Sequence, residues 1–154
     1  MQCVDKSTKT AVRWIAFLAV VMVAYWTLWY WHRTLVASES NSVYVNFENA
    51  FPLADGVLTA LLIATAVQLR ARRPSALLFG LLGSGCGFYL LSMDVLFDLE
   101  HGIWSKGAGG IIEVGINLLT LAASTLFARW IWSRRVELLS SGVERTETTG
   151  NLVE

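Results

Sequence analysis

Soft metal ligands and redox groups are scarce in this chain, which has only two cysteines and two histidines in 154 residues. Cys3 and Cys86 form no C-x-x-C pair, which argues against dithiol redox chemistry. One sits before the first apolar run and the other near the middle of a later one, too far apart for a single bridge. Neither H-E-x-x-H nor a Cys/His ligand array is present, and there is no G-x-S-x-G nucleophile turn and no phosphate-cradling loop. The glycines of "GSGCG" lie inside an uncharged run, where small residues serve helix packing. Charge is sparse as well, at 16% of the chain, and the basic residues flank apolar runs, so topology accounts for them and nucleic-acid binding is not expected.

The chain is instead rich in apolar and aromatic side chains: 55% are hydrophobic, seven are tryptophan, and the mean hydropathy is +0.51. That balance is too greasy for an ordinary soluble domain of this size. About 20 helical residues cross a hydrocarbon core of about 30 Å, and four stretches are long enough: 14–31, 51–69, 75–97 and 109–132. The expected fold class is therefore all-α, a four-helix transmembrane bundle with helices at about 11–32, 48–70, 75–98 and 109–135. The first apolar run is too long for a signal-peptide h-region and has Leu35 where a cleavage site needs a small residue, so it is read as helix 1. Cys3 precedes the run, which gives no lipid-attachment pattern.

Lys and Arg accumulate in cytoplasmic segments. Lys6, Lys9 and Arg13 precede helix 1; Arg70, Arg72 and Arg73 join helices 2 and 3; Arg129, Arg134, Arg135 and Arg145 end the chain's last helix and its tail. Arg33 and Lys106 lie on the other side. This split predicts a plasma-membrane protein with both termini cytoplasmic: an N-terminal segment 1–13, a four-span domain 14–132, and a polar, disordered tail 136–154. The lipid bilayer is the expected partner, with a homo-oligomer or a larger membrane complex as further assembly.

Ionisable residues inside these spans are the candidates for function. On helix 3, Gly80, Ser84, Gly87, Leu91, Asp94, Asp98 and His101 share one face at helical spacing, and on helix 4 so do Gly110, Glu113, Asn117, Thr120 and Ser124. Helix 2 repeats the spacing with Glu48, Pro52, Asp55 and Thr59, if it extends back through Glu48. An isolated carboxylate facing lipid costs about 2.5 to 3.5 kcal/mol, so the three stripes are expected to turn inward. Asp55, Asp94 and Glu113 then fall at similar depth near the outer boundary, as walls of an outward-facing acidic pocket. The aromatics of "YWTLWYWHR" read first as an outer interfacial belt, and the face of helix 1 shared by Tyr25, Trp29 and His32 is the alternative lining of the same pocket.

Carboxylates a few ångströms apart cannot all stay charged without a counter-charge, and protons, a metal ion or a cationic ligand would each supply one. The ligand-binding set is Glu48, Asp55, Asp94, Asp98, His101, Glu113 and Asn117, with Trp29 and His32. Asp94, Asp98, His101 and Glu113 are the candidate ligands of a divalent cation, Ca²⁺ or Mn²⁺ for the oxygens and Zn²⁺ if the imidazole joins. The leading expectation is a small membrane protein that binds a cation or small ligand, as a sensor or accessory subunit. A membrane enzyme acting on a lipid-like substrate, with Asp94 and Glu113 as acid and base, is the alternative class. A small oligomeric proton-coupled transporter is the second alternative: small proton-coupled multidrug exporters are similar in size, though their essential carboxylate lies in helix 1, where this chain has none. The bland alternative treats Asp55, Asp94, Glu113 and Asn117 as interhelical hydrogen-bond glue, and Glu48, Asp98 and Glu100 as solvated loop residues.

Overall fold

The computed structural model describes residues 6–37 and 40–140. Of the tail expected to be disordered over 136–154, residues 136–140 are helical, and those from 141 onward, Arg145 among them, lie outside the described residues, as does Cys3. Among the described residues the protein is all-helical, 89% in helix and without strands. Five α-helices appear in order: α1 Lys6–Trp31, α2 Ser42–Glu48, α3 Phe51–Arg70, α4 Ser75–His101 and α5 Gly107–Ser133. Single 3₁₀ turns, Arg33–Leu35 and Ile103–Ser105, follow α1 and α4, and the chain is helical again over 135–140.

Four segments are long and apolar enough to cross a membrane; the second of them spans α2 and α3 together, Ser42–Arg70. The expected helix from Glu48 to residue 70 is corrected at one place, because α2 stops at Glu48 and α3 starts at Phe51. Pro52, in the first turn of α3, has no N–H to give the Glu48 carbonyl and its ring would collide with that oxygen. The break falls where proline is tolerated, at the first turn of a new helix. α2 itself starts at a cap: the Asn41 side chain accepts a hydrogen bond from the Tyr44 N–H at 2.9 Å. α4 is three residues longer than expected and runs through His101, to a left-handed Gly102 at φ 62°.

α4 packs between α3 and α5, and α1 packs on α3. The small residues of α4 make these approaches close. A Cβ on Gly87 would strike the Ser124 side chain of α5, and one on Gly80 would lie 3.0 Å from Ile131. Two buried apolar clusters stand at opposite ends of the bundle. One joins Val12, Ile15, Leu69, Ala76, Ile131 and Leu138. The other joins Trp29, Tyr44, Phe97 and Ile103. At the first end, Trp130 donates to Ser7 Oγ at 3.0 Å and Arg134 to Thr8 Oγ1 at 3.2 Å, tying α5 to the start of α1.

Between these apolar clusters the interior also holds polar side chains, while the exterior of the long helices is apolar. Buried polar side chains include Thr65, Ser84, Asn117 and Ser124, and the first two bond back to carbonyls of their own helices, Leu61 at 2.7 Å and Gly80 at 3.0 Å. Large aliphatic residues face outward on every long helix, among them Val20, Leu53, Leu82 and Ile111, with Leu53 81% exposed.

Candidate functional site

At the end of the bundle opposite the α1–α5 tie, the polar stripes of α4 and α5 meet. Asp94 and Asp98, one turn apart on α4, and Glu113, in the second turn of α5, each present an oxygen within 4.8 Å of the other two. Asp98 and Glu113 are 2% and 5% exposed, and Asp94 is partly buried.

The donors around them come from every side. Asp98 Oδ2 accepts two hydrogen bonds, from the Trp104 indole at 2.7 Å and the Asn117 amide at 2.8 Å. Glu113 Oε1 accepts the Tyr44 hydroxyl at 2.8 Å, a contact spanning 69 residues of sequence. None of these three donors goes to Asp94. Trp104 reaches Asp98 because the turn after α4 is held down on α5: a Cβ on Gly110 would strike the carbonyl oxygens of Ile103 and Trp104. Ile103 is buried beneath that turn.

Two further carboxylates border the trio. Glu48, at the end of α2, is buried and accepts the Tyr25 hydroxyl at 3.3 Å. Asp55 on α3, 9% exposed, accepts the Trp26 indole at 2.9 Å. Glu48 interacts electrostatically with Asp94, Glu113 and Asp55, and Asp94 with Asp98, Glu113 and Asp55. Several carboxylates thus share one buried region, and Glu48, Asp55, Asp98 and Glu113 each accept a hydrogen bond from a neutral N–H or O–H donor.

The site-residue expectations are sorted by this geometry. Asp94, Asp98, Glu113 and Asn117 come together directly, and Glu48 and Asp55 stand beside them. His101 does not join: its ring is exposed, stacks on Phe97 at 4.1 Å between centroids, and places Nδ1 3.0 Å from the Phe97 carbonyl oxygen. Of the four expected metal ligands, the structure brings Asp94, Asp98 and Glu113 together and leaves His101 outside, stacked on Phe97. His32 is also exposed, in the turn after α1, away from the three carboxylates. Trp29 is fully buried, but as a core residue: it donates to Asn49 Oδ1 at 3.0 Å, packs on Tyr44, and carries Arg33 over its ring. Glu48 and Asp98 are buried, unlike solvated loop residues, whereas Glu100 is exposed.

Tyr44, Trp26 and Trp104 were not among the expected site residues. For Tyr44 a signal existed, since Asn41 precedes apolar positions 43, 44 and 47 as an N-cap precedes a short helix. The indole donors carried none beyond an aromatic belt.

Oxygens this close can share one ion. Ca²⁺ binds oxygen at about 2.3–2.6 Å, so two ligands on opposite sides of it stand about 4.6–5.2 Å apart. A groove of about 420 Å³ runs elsewhere, between α1 and α3, lined by residues such as Trp26, Tyr30, Pro52 and Gly56 and by no carboxylate. No protein family, curated protein or solved structure matches the chain.

Proposed function

We propose that this chain is a four-span membrane protein, with both termini on the cytoplasmic side, that holds a divalent cation between Asp94, Asp98 and Glu113. The single observation that carries the reading is the convergence of these carboxylate oxygens within 4.8 Å in a largely buried setting. Its membrane part is supported by the exposed aliphatic surface, which in water would be an aggregation-prone apolar patch and in lipid is solvated. Its orientation is supported by the basic residues gathered at the end opposite the acids.

A cation supplies the positive charge that neutral donors do not. Tyr44, Trp104 and Asn117 hold Glu113 and Asp98 in place by hydrogen bonds, as outer-shell partners of metal ligands do. Such a site suits a sensor or accessory subunit. The lipid-enzyme alternative is supported less, because the apolar groove between α1 and α3 has no carboxylate in its lining.

Melting in detergent tests the proposal. Ca²⁺ or Mn²⁺ should raise Tm, by about 2.7 kcal/mol of stabilisation at a hundredfold excess over Kd, and the rise should vanish in Asp94→Asn. Because the ligands must shed protons to bind metal, the shift should shrink as pH is lowered. A wild-type Tm that no divalent ion moves at any pH would sink the cation assignment.

A further inference from the structure

The groove between α1 and α3 lies apart from the three clustered acids, yet a carboxylate belongs to its α3 wall. That wall is Pro52, Gly56 and Thr59, three and four residues apart, and Asp55 shares their helix face. Asp55 is not among the lining residues, and Trp26 of α1 links it to the groove. Trp26 lines the groove, and its indole N–H donates to Asp55 Oδ2 at 2.9 Å. Tyr30 and Trp31, both exposed, continue the α1 wall, with the Tyr30 ring tilted 42° to that of Trp26 at 6.4 Å between centroids. Between the walls there is room: a Cβ on Gly56 would meet nothing within 4 Å.

This arrangement selects one class of occupant. An acyl chain needs only apolar walls, whereas aromatic rings also present negative faces that attract a cation. An indole that donates its N–H to a carboxylate is polarised further, and the carboxylate behind it adds its own attraction where water screens little. Among the described residues no basic side chain lines the groove, and Arg33 of the next turn lies over Trp29 instead, at 4.9 Å. A bare inorganic ion would find few oxygens here to replace its hydration shell, but a cation wrapped in hydrocarbon has little hydration to lose. The volume of about 420 Å³ is that of a small-molecule site. We infer that the groove binds lipophilic organic cations, of the quaternary ammonium or phosphonium kind, with Asp55 as their counter-charge. The inference goes beyond the divalent-cation site and does not depend on it.

The test is equilibrium dialysis of the full chain in an uncharged detergent against tetraphenylphosphonium, with triphenylphosphine oxide as a neutral competitor of similar ring content. Wild type should bind the phosphonium saturably and keep it in the presence of excess triphenylphosphine oxide. Asp55→Asn, whose amide oxygen can still accept the Trp26 N–H, should weaken binding about tenfold with little change in Tm. Gly56→Leu, which fills open space without a clash, should abolish binding and leave Tm unchanged or raised. Asp94→Asn should bind the probe as wild type does. Wild-type affinity in Asp55→Asn or in Gly56→Leu overturns the inference, as does a neutral competitor that displaces the phosphonium as well as unlabelled phosphonium does, since only an apolar surface is then left. Binding lost in Asp94→Asn puts the probe among the three clustered acids and overturns it too. So does a wild type that takes up no probe, the result expected if an acyl chain or a second copy of the chain fills the groove.

Discussion

At the scale of single residues, the site depends on donors that the acids themselves do not announce. Tyr44 gives its hydroxyl to Glu113 inside a cluster shared with Trp29 and Phe97, so its ring and its O–H make separable contributions. Tyr44→Phe keeps the ring and leaves a buried carboxylate short of one donor, which should cost about 1–3 kcal/mol. The exposed Tyr89 serves as the control, and Tyr89→Phe should stay within about 0.5 kcal/mol. Equilibrium unfolding of both variants in mild detergent checks this, and equal effects would show that the Tyr44 hydroxyl adds nothing. Periodicity brought Asp94, Glu113 and Asn117 to notice because each lies on a small-residue or polar stripe of its own helix. Tyr44 and Trp104 escaped it because their partners lie on other elements, and pairing across elements leaves no local pattern.

At the scale of elements, the turn between α4 and α5 decides whether Asp98 keeps its second donor. Gly110 lies directly under the Ile103 and Trp104 carbonyls, and backbone atoms cannot step aside as a flexible side chain does. Gly110→Ala should therefore cost about 1–3 kcal/mol through overpacking and should also weaken any divalent-ion stabilisation, by lifting Trp104 from Asp98. Gly115, five residues on in the same helix, has open space where a Cβ would go, so Gly115→Ala should instead stabilise by about 0.4–1 kcal/mol. Thermal melts of the two variants with and without Ca²⁺ separate the local clash from a general effect of alanine in α5. The long helices were legible from hydropathy because each exceeds the length of a span. α2 was not, because seven residues hold too little periodicity to stand out from a loop, and it becomes visible only through its Asn41 cap and the Pro52 break behind it.

At the scale of the whole molecule, the proposed orientation puts the acids outside and the arginine turn inside. With Cys3 and Cys86 replaced by serine, an impermeant thiol reagent should label Ser40→Cys and Lys106→Cys in intact cells, and Arg72→Cys only after permeabilisation. Labelling of Arg72→Cys from outside would reverse the topology and turn the acidic end toward the cytoplasm. The helical class, the number of long apolar segments and the inward direction of the polar stripes follow from the sequence alone. Each is a matter of local chemistry repeated along one helix, and the 3.6-residue period records it. Which acids meet is a different kind of fact. Asp55 turns to Trp26, Glu48 to Tyr25, and His101 to Phe97, so the set expected at one centre divides into a trio and its neighbours. Those choices were made by tertiary structure, because they depend on the angle and depth at which α3, α4 and α5 pack and on two short connections whose positions no single helix encodes.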